Sequence, residues 1–159
     1  MPLNTWLFGR LSRMPWPLPE FLAIGAVLFL FVENFSIYGG NVASTMAGEF
    51  SFSIALSLAI LGFGLLARGM QTGRGLGSAS VVLALAAVCH GIVAIFVGLG
   101  AVTMMVLWLD RKRWKWSLAT LGTFGLLVAW WILPFKLTAH YMTNMKYEPY
   151  EGPWWKFFN

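Results

Sequence analysis

Apolar residues in this chain come in long blocks, not in the alternation of apolar and polar positions that is typical of a soluble core. Most blocks approach the roughly 17 to 20 residues that a helix needs to cross about 30 Å of hydrocarbon. They predict membrane-spanning helices at about residues 19–38, 50–67, 76–89, 91–109 and 116–133. The predicted fold class is therefore all-α, a polytopic bundle of about five transmembrane helices within residues 19–134.

The longest block, residues 76–109, is more than one span needs and is tight for two. Arg68 and Arg74 precede it, and four basic residues within 111–115 follow it. Because basic flanks stay in the cytoplasm, both ends of the block are expected on that side, which requires an even number of crossings. The pattern favours two short helices that turn near His90. A single tilted helix would leave four passes instead of five.

The flanking segments set the predicted orientation. Residues 1–18 carry two arginines and are expected to be a cytoplasmic N-terminal segment, in which prolines break any helix before the first span. The loop 39–49 has no basic residue and is placed outside. The last span is expected to end at Pro134, which leaves 135–159 as an external interfacial tail.

Composition supports a membrane location and excludes several classes of function. Of the 159 residues, 58% are hydrophobic and 11% are charged. The net charge of +5 lies in short runs between the blocks, unlike the continuous basic face that binds nucleic acid. The single cysteine, Cys89, excludes an internal disulfide and a cysteine-ligated metal site. Walker, HExxH, CxxC and nucleophile-elbow motifs are absent, so the sequence identifies no catalytic residue, metal or cofactor.

Polar residues at the apolar spans are the candidates for function, because a bilayer makes them costly. The segment 38–53 is the densest polar stretch and contains Asn41. Glu49, Ser53 and Ser57 recur every four residues, which aligns them on one helix face that should meet other helices or a water-filled cavity. The alternative is structural: an acid that is favourable to the helix dipole, and serines that bond back to their own helix.

Two further ionisable residues are candidates. Glu33 lies little more than one turn before the expected outer end of the first span, where it either lines a site or reaches water. His90 is the only ionisable residue between Arg74 and Asp110, and it is either a packing residue or part of a polar cavity at the turn. The candidate substrate-binding residues are therefore Asn41, Glu49, Ser53, His90 and Glu33.

Five segments carry a resemblance to a known family, and Gly39–Ser53, which reads GGNVASTMAGEFSFS, is the most specific of them. The others are 65–69 (LLARG), 89–96 (CHGIVAIF), 131–135 (WILPF) and 141–147 (YMTNMKY). Together they resemble large bacterial polytopic proteins described as membrane protein, 6-pyruvoyl-tetrahydropterin synthase-related. The resemblance covers nearly the whole chain, although the histidine zinc site of the soluble pterin synthase is missing.

Proteins of this family look like GT-C-type glycosyltransferases. The resemblance implies transfer of a sugar from a polyprenyl-phosphate donor, on the outer face of the bacterial cytoplasmic membrane, to an envelope glycan, lipid or protein. A donor of this kind would lie with its headgroup at the outer boundary, where Glu49 and His90 are expected to converge. A carboxylate would act as base on the acceptor hydroxyl, and polar groups or a divalent metal ion would stabilise the leaving phosphate. Family members are far longer, so the chain is expected to be an internal or truncated segment that has the lipid bilayer and other segments of its parent as partners.

Two rival functions belong to other classes. One is a non-catalytic membrane scaffold of an envelope complex, or a truncated remnant of the enzyme. The other is a transporter, whose typical pair of broken spans at corresponding positions in two halves occurs only once here, near His90.

Overall fold

The computed structural model describes residues 1–33, 39–107 and 113–141. These ranges hold helices and connecting turns without a β-strand, which confirms the predicted all-α class. The helices are α1 (Pro2–Leu11), α2 (Leu18–Leu30), α3 (Val42–Met46), α4 (Phe50–Thr72), α5 (Leu76–Cys89), α6 (Gly91–Leu107) and α7 (Trp114–Thr138), followed by a 3₁₀ turn at Ala139–Tyr141.

Two helical stretches are long and apolar enough to cross a membrane. They are Phe50–Thr72 with 23 residues and Trp114–Tyr141 with 28, whereas α2, α5 and α6 are shorter apolar helices. At a rise of 1.5 Å per residue, α4 alone is about 35 Å long. Large apolar side chains such as Phe96 and Leu126 stay exposed on the outer faces of the bundle, a surface that suits lipid better than water.

The first apolar helix is shorter than its predicted span. α2 ends at Leu30, and the N–H groups of Phe31 and Val32 bond to carbonyls three residues earlier, which closes the helix. The Val32 carbonyl then accepts the side-chain amide of Asn41 at 2.6 Å. Glu33 therefore lies beyond the helix and not inside it, and the rest of the predicted span, 34–38, falls outside the described residues.

The last helix does not end at Pro134, as the sequence suggested. α7 continues to Thr138, and the Thr138 hydroxyl donates to the Pro134 carbonyl at 2.8 Å. Proline removes one backbone donor, and apolar helices in membranes tolerate it more readily than soluble helices do. Of the predicted external tail, residues 142–159 lie outside the described residues.

α4 is the central helix of the bundle, and α5 and α6 form a hairpin against it. α5 follows α4 after residues 73–75 and packs back on it, with Leu83 against Gly62, so it runs antiparallel to α4. α6 runs parallel to α4, because Phe52 meets His90 just before α6 and Phe63 meets Gly100 further along it. The hairpin turns at His90, whose backbone is extended with φ −154° and ψ 126°. The predicted turn is confirmed, while the number of membrane passes stays a prediction.

α7 runs alongside α5 in the same direction. The Ser80 hydroxyl donates to the Thr120 carbonyl at 3.0 Å, and Val128 packs with Ala84 and Ala87 further along. Such close approach between helices depends on small residues at the contacts, as is usual in membranes.

The N-terminal segment, which we expected to be cytoplasmic, forms α1 and packs along α4. Asn4 Nδ2 donates to Ser57 Oγ at 2.9 Å, and Gln71 Nε2 donates to the Ser12 carbonyl at 3.2 Å. Between these two contacts, Phe8 lies against Gly64. α1 is therefore part of the helix bundle and runs parallel to α4, a role that its prolines and arginines did not indicate. Met1 consequently lines a cavity together with Gly40 and Thr45, whereas the sequence placed the N-terminal segment and the loop 39–49 on opposite sides of the membrane.

Candidate functional site

The candidate site lies at one end of the bundle, where α3, the first turn of α4 and the α5–α6 turn meet. We call this region the polar end. Its residues are Gly40, Asn41, Thr45, Glu49, Ser53 and His90.

Asn41 holds the short helix α3 in place. Its side-chain oxygen accepts the Ser44 N–H at 2.8 Å, which makes Asn41 the N-cap of α3, and its side-chain nitrogen donates to Val32 at 2.6 Å. The residue is 1% exposed. Asparagine is a preferred N-cap because its oxygen satisfies a backbone donor that the helix cannot. The structure thus gives Asn41 a structural role, and these contacts do not favour its predicted role in substrate binding.

Ser53 joins α4 to the segment before it. Its hydroxyl lies 2.6 Å from the Thr45 hydroxyl, accepts the Gly40 N–H at 3.3 Å and donates to the Glu49 carbonyl at 3.2 Å. The last contact is the back-bonding of the structural alternative, while the first two are contacts with another part of the chain. Both interpretations of the Glu49, Ser53 and Ser57 stripe are therefore present together.

The structure brings Glu49 and His90 together. Glu49 Oε2 lies 4.0 Å from His90 Nε2, and the two side chains are 41% and 22% exposed. The imidazole also meets the Phe52 ring edge-on, with centroids 5.0 Å apart. His90 Nδ1 is buried without a hydrogen-bond partner among the described residues. The separation of 4.0 Å is that of an ion-pair contact and is longer than a hydrogen bond, so the carboxylate and the imidazole lie close together without being bonded.

A cavity of about 530 Å³ adjoins the polar end. The hydroxyl side chains of Thr45, Ser53 and Ser57 line one side, and apolar side chains that include Phe50 and Ile54 line the rest. Phe50 and Ile54 are largely exposed, so the cavity opens at the outer face of α4. Glu49 and His90 do not line it, although Ser53 connects it to Glu49.

Glu33 lies at the edge of this arrangement. It is exposed and lines a neighbouring cavity, which shares Leu30 and Val42 with the first, and it follows Val32, to which Asn41 bonds. The structure therefore places Asn41, Glu49, Ser53 and His90 at the polar end, with Glu33 beside it.

A divalent metal ion, which the family resemblance allows, has no site of three protein ligands in the described part of the chain. In residues 1–33, 39–107 and 113–141, no three His, Cys, Asp or Glu side chains come together. Glu49 supplies one carboxylate at the polar end, and Mg²⁺ is commonly bound by one or two carboxylates together with substrate phosphates.

The sequence missed two members of the polar end. Thr45 was counted only as part of a polar stretch, and the Gly40 N–H carries no side-chain signal at all. The spacing of Asn41 and Ser44 before a short helical segment is a recognisable N-cap pattern and was the signal for the structural role of Asn41.

Apolar helices with exposed apolar faces, a compact polar end and an open apolar cavity define a helical membrane protein. The chain belongs to the membrane protein family described as 6-pyruvoyl-tetrahydropterin synthase related domain, whose model matches residues 5–152. The resemblance inferred from the GGN to FS segment is thereby confirmed at the level of the family. No curated protein and no solved structure matches the chain.

Proposed function

We propose that this chain is a membrane-embedded segment of a GT-C-like glycosyltransferase that uses a polyprenyl-phosphate-linked sugar for bacterial envelope assembly. In this proposal the bundle crosses the cytoplasmic membrane five times, the polar end lies at the outer boundary and the turn between α4 and α5 lies inside; Met1, which lines the cavity beside the polar end, lies toward the outer side. The observation that carries the proposal is the meeting of Glu49 and His90 at 4.0 Å beside an open apolar cavity.

The proposed chemistry needs one proton acceptor. An acceptor hydroxyl attacks the anomeric carbon of the donor sugar, the bond from that carbon to the phosphate oxygen breaks, and the polyprenyl phosphate leaves with the electron pair. Glu49 takes the hydroxyl proton, and its carboxylate becomes neutral. His90 Nε2 lies 4.0 Å from Glu49 Oε2 and is the group through which the protein offsets this change of charge. The apolar walls of the adjoining cavity, which include Phe50 and Ile54, suit the prenyl chain of the donor.

A non-catalytic scaffold is the second candidate function, and one observation favours it. The polar groups of Asn41 and Ser53 are bonded to Val32, Ser44 and Thr45 of the same chain. Such bonds order the chain locally without any substrate.

The test is sugar transfer in membrane vesicles that contain the complete gene product in which these residues occur. Glu49→Gln removes the proton acceptor and keeps the side-chain shape, and we expect transfer from polyprenyl-phosphate sugars to fall about 100-fold or more. Transfer by the His90→Ala variant is expected to fall less, because His90 acts through Glu49. His140→Ala is the matched control, since this exposed histidine lies on the 3₁₀ turn after α7.

Normal transfer by both Glu49→Gln and His90→Ala, in protein that elutes as a single folded species, would remove this pair from the reaction. Absence of transfer by the wild-type protein with every polyprenyl-phosphate sugar supplied would favour the scaffold.

A further inference from the structure

A second cavity, of about 480 Å³, lies at the opposite end of the bundle, around the turn between α4 and α5. It is lined by Leu65, Arg68, Thr72, Arg74, Gly75 and Ser78. We call the region of Arg68, Arg74 and Arg113 the arginine end. Arg113, which precedes α7, brings its guanidinium against Gly73, so close that an added Cβ there would lie 2.8 Å from a guanidinium nitrogen.

The arginine end has no carboxylate partner in the part of the chain that the structure describes. The carboxylates in that part are Glu20, Glu33 and Glu49. Glu20 accepts the indole N–H of Trp6 at 3.3 Å, Glu49 lies beside His90, and Glu33 lines another cavity. Arg68 and Arg74 both line the cavity and are both exposed, and two charges of one sign at a cavity favour an anion there.

The start of α5 borders the same cavity through Gly75 and Ser78. Gly75 is its N-cap, in the left-handed conformation at φ 78°, and has no side chain to cap the helix. The first intrahelical bond joins the Ala79 N–H to the Gly75 carbonyl, so the N–H groups of residues 76–78 precede it. The hydroxyls of Thr72 and Ser78 donate to carbonyls of the chain itself, which leaves guanidinium and backbone N–H groups as the donors for a ligand.

We infer that this cavity binds a phosphate group, carried either by an anionic lipid headgroup or by a soluble phosphate ester. Two guanidinium groups match phosphate oxygens in pairs, and the helix start adds N–H donors and a favourable dipole. Leu65 lies one helical turn before Arg68 and gives the cavity an apolar wall where a lipid tail would begin. The site is distinct from the polar end, and its test does not depend on sugar transfer.

The experiment uses the purified chain in a neutral detergent and a phosphate-free buffer. Native mass spectrometry measures the binding of short-chain phosphatidylglycerol, with phosphatidylcholine as the zwitterionic comparison and inorganic phosphate as a competitor. Arg68→Gln/Arg74→Gln should weaken phosphatidylglycerol binding about tenfold for each guanidinium removed. Arg13→Gln is the matched control, because Arg13 is an exposed arginine that does not line the cavity.

Loss of binding in the double glutamine variant alone supports the site. Competition by inorganic phosphate at similar concentration then identifies a soluble ester as the source, and failure to compete identifies a lipid. Arg68→Lys/Arg74→Lys keeps both charges and the fold but loses the forked donors, so it should bind more weakly than wild type and more tightly than the glutamine variant. Wild-type binding by the glutamine variant, or an equal loss in Arg13→Gln, would overturn the proposal.

Discussion

The two ends of the bundle differ in whether their polar side chains have partners among the described residues. At the polar end, side chains bond to each other and to the backbone: Asn41 holds Val32 and Ser44, and Ser53 holds Gly40 and Thr45. At the arginine end, Arg68 and Arg74 line one cavity and Arg113 lies against Gly73, and none of the three has a carboxylate contact among the described residues.

This contrast indicates that hydrogen bonds within the chain order the polar end. Polar groups that enter an apolar environment must be bonded internally, which explains the dense network around α3. Arginines near a membrane surface have another source of partners, because anionic headgroups and soluble anions reach them. The polar end is therefore expected to contribute stability, and the arginine end to contribute binding.

The largest effect is expected from Asn41→Ala. The change removes the N-cap of α3 and leaves the Val32 carbonyl and the Ser44 N–H without the side-chain bonds that they make now. Loss of a cap and of a buried partner together costs about 2 to 3 kcal/mol in the free energy of unfolding. Unfolding in detergent, followed by tryptophan fluorescence, measures it.

Ser78→Ala is the control at the arginine end. Ser78 is exposed and its hydroxyl bonds only to the Gly75 carbonyl among the contacts described, so a change within about 0.5 kcal/mol is expected. An equal loss of stability in Asn41→Ala and Ser78→Ala would contradict the expectation that the polar end contributes stability and the arginine end contributes binding.

A smaller effect is expected from Gly64→Ala, which tests the contact between α1 and α4 that runs between the two ends. A Cβ at Gly64 would lie 2.9 Å from the Phe8 backbone, so α1 must move, at a cost of about 1 to 2 kcal/mol. Gly122→Ala is the matched control, because a Cβ there meets nothing within 4 Å. Equal unfolding temperatures for Gly64→Ala and Gly122→Ala would show that α1 does not pack tightly on α4.

The sequence predicted the helices of this fold well and their packing partners poorly. Apolar blocks located α4, α5 and α6, and basic flanks on both sides of residues 76–109 predicted the turn at His90, because block length and charge position are local properties. The packing of α1 on α4 was missed, since it depends on how Gly64 fits Phe8, and that fit appears only in three dimensions.

For the candidate site, too, the sequence predicted the local features and missed the contacts between distant parts of the chain. The four-residue spacing predicted the position of Ser53, and the turn predicted that His90 would approach Glu49. The cap pattern of Asn41 indicates the structural role that the structure shows, and its role in substrate binding stays a prediction. Convergence of Arg113 on the α4–α5 turn had no local signal, because 40 residues separate it from Gly73 along the chain.

The smallest effect is expected from Arg68→Gln in a phosphate-free buffer at low salt. Arg68 shares its cavity with Arg74, so removing one charge relieves repulsion and raises stability by no more than a few tenths of a kcal/mol. The gain should vanish near 1 M salt, where charges are screened beyond about 3 Å. Thermal unfolding at the two salt concentrations measures it. A loss of stability at low salt would mean that Arg68 has a counter-charge within the chain, and the contrast between the two ends would then be one of degree.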